Sequence, residues 1–443
     1  MPAEAPTHPP QPLSHGRVLR IAVPIVLSNA TVPILGAVDV GVVGQIGEAA
    51  PIGAVAMGAI ILTTVYWLFG FLRMGTVGLV GQAAGAGDDA EVSAWLTRAL
   101  LVAGVSGGAL IVLQVPIFWA AFQISPASDE VEGLARTYLA IRIWTAPAAI
   151  AVYALTGWLV AMERTGGVFW VQLVMNGVNI ALSFLFVLGF EMGVAGVALS
   201  TVVAEALGAA LGLWFCRDAF RHPAWRDWPR IARRAELVRM ALLNTDILLR
   251  SAMLMVIFSS FVFLGARFGD VTLAANEVLI QFMYITAYAM DGFAFAAETL
   301  IARSYGRRDR VRVRRAALLT SFWGVVVCVA AATAFWAAGP WLIDLMAKDA
   351  AVQEVARDYL PYMVAAPLIG CAAWMLDGIF IGAARGRDMR NMMAVSFVIY
   401  WGSVFALLPV LGNDGLWIAL LVSFVARGAT LALRYPALER GAG

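Results

Sequence analysis

The chain has 443 residues, of which 61% are apolar and 14% are charged. Soluble domains are about half apolar and about a quarter charged, so this composition excludes a large soluble protein. The net charge is +2, and Lys348 is the only lysine among 31 basic residues, so the Gly-Lys pair of a nucleotide-binding Walker A loop is absent.

Because a membrane-spanning helix needs about 20 apolar residues, this length accommodates about twelve spans and no separate soluble catalytic domain. The polar, proline-rich residues 1–16 are predicted to form a disordered cytoplasmic tail. The apolar runs that follow predict an all-α polytopic membrane protein with twelve transmembrane helices. Their predicted ranges are 18–44, 51–84, 93–120, 133–162, 168–189, 193–216, 237–266, 271–304, 313–340, 353–384, 390–411 and 415–436.

Arginines concentrate in the loops that follow even-numbered spans. Seven of them follow span six and seven follow span eight, whereas the odd-numbered loops carry mostly acidic residues. Because basic loops stay in the cytoplasm, both termini are expected there, in a multi-pass protein of the inner membrane. Nucleic-acid binding by the arginine clusters is the alternative, and the flanking apolar spans favour contact with the phospholipid bilayer and no nucleic acid.

The two halves of the sequence resemble each other at a shift of about 220 residues. Gly85 and Gly157 in the first half match Gly306 and Gly378 in the second. Each half holds an even number of spans, which predicts two six-helix lobes related by a pseudo-twofold along the membrane normal. Rocking of one lobe against the other would open a central cleft alternately to each side, as coupled transport requires. The expected domains are a tail at 1–16, a lobe at 17–216, a cytoplasmic linker at 217–236, a lobe at 237–436 and a tail at 437–443.

One group of polar residues is expected in the outer leaflet of the first lobe. It consists of Asp39 on span one, Asn179 and Ser183 on span five, and Thr201 on span six. A charge in the bilayer centre costs about 3 kcal/mol, and this lobe has no basic residue at that depth to pair with Asp39. Burial without a cation favours the protonated form, so Asp39 can exchange a proton, Na⁺ or a cationic substrate. Alternatively, Asp39 merely faces water near the helix end.

A second group of charged residues is expected in the cytoplasmic half of the spans. Asp246 and Arg250 are spaced i,i+4 and are predicted to pair. The group contains four acids and two bases. Its surplus of negative charge belongs either to a structural network that closes the inner gate or to a second site for a cation or a substrate. No partner can be assigned from the sequence to Glu205, Glu277 or Arg427, which also lie within spans. The second group is Arg73, Asp246, Arg250, Asp291, Glu298 and Asp377.

Several segments together resemble the multidrug and toxic compound extrusion (MATE) family, in particular its DinF branch. In the first half they are DVGVVG from Asp39 and FLRMGTVGLVGQ from Phe71. In the second half they are NTDILLRS from Asn244, MDGFAFAAE from Met290 and DGIFIGAARGRDM from Asp377. The likeness extends over nearly the whole chain.

The resemblance implies a monomeric secondary antiporter that exports amphipathic, often cationic compounds in exchange for H⁺ or Na⁺ and uses no cofactor. It implies that Asp39 is the coupling carboxylate and that Asn179 and Thr201 belong to its site, where they could also hold Na⁺. Family members often carry a second aspartate on span five, whereas this chain has Ser183. The missing carboxylate favours H⁺ over Na⁺.

Three other functions are less consistent with the sequence. A lipid-linked oligosaccharide flippase would be expected to have extra spans and a cationic cleft. A major facilitator transporter would carry a basic signature between spans two and three, where this chain reads GAGDD from Gly85 to Asp89. A membrane-embedded enzyme would need a nucleophile with a base, and no histidine lies within a span.

Overall fold

The structure, a computed structural model, describes residues 12–31, 38, 41–45, 49–124 and 128–443, and the regular structure of these residues is entirely helical. The helices of ten or more residues are α1 (His15–Asn29), α2 (Ala49–Trp67), α3 (Gly70–Ala86), α4 (Asp89–Val112), α5 (Gln114–Ile124), α6 (Asp129–Arg142), α7 (Ala146–Ala161), α8 (Thr165–Phe184), α9 (Gly193–Phe215), α10 (Arg234–Gly265), α11 (Asp270–Gly306), α12 (Arg310–Met346), α13 (Ala350–Gly382), α14 (Gly386–Leu411) and α15 (Asn413–Arg440). Shorter helical segments are Ile143–Thr145, Leu185–Gly189, Arg217–Arg221, Pro223–Arg226, Trp228–Ile231 and Ala266–Phe268.

Eleven helical segments in the described part of the chain are long and apolar enough to cross a membrane. They correspond to predicted spans two to twelve, and α1 covers the beginning of span one. Spans two and four each consist of two consecutive helices. In span four a 3-10 turn at Ile143–Thr145 precedes Pro147, whose missing N–H is tolerated in the first turn of α7.

The internal repeat reappears in the local structure of the helix starts. Asp88 precedes α4 and accepts a hydrogen bond from the backbone N–H of Glu91 at 2.9 Å. Its counterpart Asp309 precedes α12 and accepts one from the N–H of Arg312, also at 2.9 Å. Aspartate is a preferred residue at this position because its carboxylate satisfies an N–H that has no partner within the helix. The repeat therefore starts both helices in the same way.

Two segments predicted as tails are partly helical in the described part of the chain, residues 12–16 and 437–443. In place of a disordered tail up to residue 16, Leu13 is buried and α1 begins at His15, whose Nδ1 accepts a 3.1 Å hydrogen bond from Trp323. At the other end α15 continues to Arg440, through the segment predicted as a tail. Glu439 pairs there with Arg310 at 3.0 Å. Tertiary contacts that the local sequence does not reveal are made by Leu13, His15 and Glu439.

The described chain folds into two compact units. The N-terminal unit contains Leu27–Val80 and Asp88–Leu237. The C-terminal unit contains the chain up to Val26, Gly81–Gly87 and Val238–Gly443. The boundary between the two units therefore falls within α1, after Val26, which is two residues beyond Pro24.

The segment predicted as a linker, 217–236, is a folded part of the N-terminal unit. The buried Arg98 of α4 donates to the carbonyl of Ile231 at 3.0 Å, and Ser93 of the same helix donates to the carbonyl of Ala219 at 2.6 Å. A buried guanidinium needs acceptors for its donors, and the backbone of this segment supplies them. The segment is therefore anchored on α4.

Two helix ends related by the repeat cross closely in the C-terminal unit. A Cβ added to Gly85 would overlap the carbonyl of Arg303, and a Cβ added to Gly306 would overlap the carbonyl of Gln82. Gln82 and Arg303 are separated by the same 221 residues as Gly85 and Gly306. The contact is therefore reciprocal. Both helices have small residues at four-residue spacing, a pattern that allows close helix packing in membranes: Gly81 and Gly85 on α3, Ala302 and Gly306 on α11.

We expect Gly85→Val to lower the free energy of unfolding by about 2 kcal/mol, because the side chain would force the two backbones apart. The matched control is Gly402→Val in α14, where an added Cβ meets nothing within 4 Å, and there we expect a change within about 0.5 kcal/mol. Unfolding of the purified variants in detergent measures both. Equal stability of the two variants would contradict the close crossing.

Candidate ion-coupling site

The three residues predicted around the coupling carboxylate, Asn179, Ser183 and Thr201, come together in the N-terminal unit, whereas Asp39 itself lies outside the described residues. Asn179 of α8 donates through Nδ2 to Oγ1 of Thr201 on α9 at 2.9 Å. The hydroxyl of Ser183 donates to Oδ1 of Asn179 at 3.4 Å, and it lies 2.7 Å from the hydroxyl of Ser200. Asn179, Ser183 and Ser200 are buried.

This cluster is neutral and rich in oxygen atoms. Asn179 and Ser183 lie one turn apart on α8, so their side chains share a face. The hydroxyls of Ser200 and Thr201 also donate to the carbonyl of Val197, at 2.8 and 3.0 Å. Asn179 Oδ1 accepts one long hydrogen bond within the described part of the chain. It can therefore accept a second donor, such as a protonated carboxyl group, or contact a cation.

A second hydrogen bond connects the turn that follows α1 to the same helix α8. Asn176 donates through Nδ2 to Oγ1 of Thr31 at 2.7 Å, and Thr31 in turn donates to the carbonyl of Ser28 at 2.7 Å. Asn176 also accepts from Gln172 at 3.0 Å. Asn176 lies one helical turn before Asn179, so the turn that follows α1 reaches α8 next to the neutral cluster.

The N-terminal unit also contains a buried ion pair whose partners the sequence did not reveal. Glu205 of α9 accepts from Arg142 of α6 at 2.5 Å and from the hydroxyl of Thr145 at 2.5 Å. Arg142 donates further to the hydroxyl of Tyr138 at 3.1 Å. Arg142 and Glu205 are 63 residues apart, so local spacing does not indicate the pair.

The second predicted group divides into separate ion pairs in the C-terminal unit. Asp246 and Arg250 do not pair with each other, in contrast to the i,i+4 prediction. Arg250 binds Asp377 at 2.7 Å, and Asp246 binds Arg390 at 2.6 Å. The buried Arg427 lies 3.9 Å from Asp377. The count of four acids and two bases therefore omitted Arg390 and Arg427, which lie beside these carboxylates.

The other three members of this group are distributed over both units. Arg73 is buried in α3 and belongs to the N-terminal unit. Asp291 and Glu298 lie on α11 in the C-terminal unit, and Glu298 is buried where Gly382 of α13 packs against its carbonyl. Arg73 therefore lies in a different unit from the other five residues of the group.

The second half contains a neutral counterpart of the Asp39 position. The offset of 221 residues that relates Gly85 to Gly306 relates Asp39 to Ser260. Ser260 of α10 is buried, and its hydroxyl lies 2.9 Å from that of Tyr400 on α14. The carboxylate is therefore present in one half of the repeat only.

Helices that span a membrane and bury polar and charged groups are typical of transporters, and comparison with known proteins identifies the class. The profile of the MatE family matches residues 24–185 and 247–402. The chain is 37% identical to DNA damage-inducible protein F of Escherichia coli K12, over 93% of this chain and 90% of that protein. It is 28% identical to the probable multidrug resistance protein NorM of Bradyrhizobium diazoefficiens, over 95% of this chain and 93% of that protein.

Solved structures show the same fold. The Vibrio cholerae MATE transporter VcmN in the bent form superimposes with a TM-score of 0.85 at 16% identity, over 97% of both chains. A MOP superfamily transporter from Pyrococcus furiosus superimposes with a TM-score of 0.84 at 15% identity, over 96% of both chains. The chain therefore belongs to the MatE family and has its two-lobe helical fold. Proteins of this family are ion-coupled membrane transporters of small organic compounds, not enzymes.

Proposed function

We propose that this protein exports amphipathic, often cationic compounds in exchange for protons, with Asp39 as the coupling carboxylate. The observation that carries the proposal is the 2.7 Å hydrogen bond from Asn176 to Thr31. It connects the turn that follows α1 to α8, one helical turn from the cluster of Asn179 and Thr201.

Helix geometry indicates that Asp39 reaches the depth of this cluster. The sequence predicts that span one extends to residue 44, and Asp39 follows Thr31 by eight residues, about 12 Å at the helical rise. Ser183 follows Asn176 by seven residues, about 10 Å along α8. Spans one and five are both odd-numbered and run in the same direction across the membrane. Asp39 is therefore expected beside Ser183 and Asn179.

The neutral cluster favours a proton over Na⁺. Asn179, Ser183 and Thr201 supply hydrogen-bonding groups but no second carboxylate, so one proton neutralises Asp39 completely. A hydroxyl or amide oxygen can also accept the hydrogen bond of the protonated carboxyl group. When Asp39 is ionised, the same site attracts a cationic substrate. Proton and substrate then compete, and this competition couples their fluxes.

The relatives support export of drug-like compounds, because several of them are named as multidrug resistance proteins. The arginine-rich loops favour an orientation with both termini in the cytoplasm, in a multi-pass protein of the inner membrane. A six-plus-six arrangement of spans in one chain provides both lobes, so a monomer is sufficient for transport.

The experiment is ethidium uptake into liposomes that contain the purified protein. We expect an interior-acid pH gradient without Na⁺ to drive uptake, and a Na⁺ gradient at uniform pH to leave uptake at the level of protein-free liposomes. Dissipation of the pH gradient by a protonophore provides the control. Uptake driven only by Na⁺ would overturn proton coupling, and Ser183 would then be a candidate Na⁺ ligand.

A further inference from the structure

A basic cavity of about 760 Å³ lies in the C-terminal unit, at the membrane face that carries the arginine-rich loops. It is formed by the beginning of α10, the connection between α13 and α14, and the end of α15. The arginines that line it are Arg239, Arg385, Arg387, Arg390 and Arg434. The acids that line it are Asp246 and Asp388.

Three of these arginines, Arg385, Arg387 and Arg434, form no hydrogen-bonded ion pair with the two aspartates. Asp246 forms a short ion pair with Arg390, in which Oδ1 lies 2.6 Å from Nη1. Asp388 is 3.9 Å from Arg385 and 3.9 Å from Arg434, so neither of these contacts is a hydrogen bond. The exposed Arg387 has no carboxylate within ion-pair distance in the described residues. The cavity therefore attracts an anion with several acceptor oxygens, and arginine is well suited to phosphate.

One wall of the cavity continues into an exposed apolar stripe on α10. Leu242 lines the cavity and is 63% exposed. Leu249, Val256 and Phe263 follow it on α10 at intervals of seven residues, and all three are exposed. Seven residues are close to two helical turns, so the four side chains share one face. On a membrane-spanning helix, an exposed apolar stripe contacts acyl chains.

We propose that this cavity binds the phosphate headgroup of an anionic phospholipid. The arginines bind the phosphate, and the acyl chains lie along the stripe that begins at Leu242. A soluble phosphate compound would use the arginines but would gain nothing from the stripe. The cavity also faces the cytoplasmic leaflet, in which basic pockets between spans meet anionic headgroups.

Native mass spectrometry of the full-length protein, with equal amounts of phosphatidylglycerol and phosphatidylcholine, tests the proposal. We expect the protein to retain phosphatidylglycerol preferentially. The double substitution Arg387→Gln/Arg434→Gln should weaken this binding about 25-fold, because each arginine near an anionic headgroup contributes about five-fold. Both arginines are exposed, so the variant is expected to fold.

The matched control is Arg226→Gln/Arg315→Gln, which removes the same charge from exposed arginines outside the cavity. It should bind phosphatidylglycerol within about two-fold of the unmodified protein. Equal retention of both lipids, or equal losses in the two double variants, would overturn the proposal. Displacement of phosphatidylglycerol by submillimolar glycerol 1-phosphate would show that the occupant is a soluble phosphate compound instead.

Discussion

Asp39→Asn should abolish uptake driven by the pH gradient, lowering its initial rate about 100-fold. The amide cannot take up and release a proton, so proton and substrate no longer compete. A 100-fold fall in rate corresponds to an increase of about 3 kcal/mol in the activation free energy of transport. The measurement is ethidium uptake into liposomes with an acidic interior, with equal amounts of reconstituted protein.

The control for this experiment is Asp358→Asn on α13, which removes an exposed carboxylate. It should transport at the rate of the unmodified protein. Ethidium affinity provides a second readout, because it should fall on acidification in the unmodified protein and be independent of pH in Asp39→Asn. Unimpaired transport by Asp39→Asn would show that another group couples the fluxes.

The second large effect is expected on stability. Arg250→Met should lower the free energy of unfolding by about 3 kcal/mol, because it leaves the carboxylate of Asp377 without its 2.7 Å partner. Arg427 remains 3.9 Å away and offsets only part of this loss. Unfolding of the purified protein in detergent measures the change.

Two further variants distinguish an unpaired charge from a loss of packing. Arg250→Met/Asp377→Leu/Arg427→Met should be more stable than Arg250→Met, since it removes the buried carboxylate together with Arg427, the other buried arginine beside it. Arg136→Met removes an arginine from an exposed ion pair with Glu132 and should cost less than about 1 kcal/mol. Similar losses of unfolding free energy in Arg136→Met and Arg250→Met would show that burial does not raise the cost of removing the arginine.

The sequence predicted spans two to twelve closely because a membrane span requires a long apolar run, which can be read without tertiary information. It also predicted that Asn179, Ser183 and Thr201 lie together, because their depth follows from their positions along two neighbouring spans. Asp88 and Asp309, which accept a backbone hydrogen bond at the start of α4 and α12, show that the repeat extends to local structure.

The partners of buried charges could not be predicted in the same way. Asp246 has Arg250 one turn away but pairs with Arg390, which is 144 residues away. Glu205 and Arg142 come from different helices, and their pairing depends on how α6 and α9 pack. Spacing along one helix identifies which residues can meet, whereas the rotation of neighbouring helices decides which of them do.

The reciprocal crossing of Gly85 and Gly306 has a consequence for the origin of the chain. A homodimer makes this kind of contact across its twofold axis, where the same residue of each subunit lies on both sides of the interface. A six-helix ancestor could not have changed one side alone. In a fused chain the two sides can differ. One half carries Asp39 at this position of the repeat and the other carries Ser260, so the two halves need not carry the same side chain there.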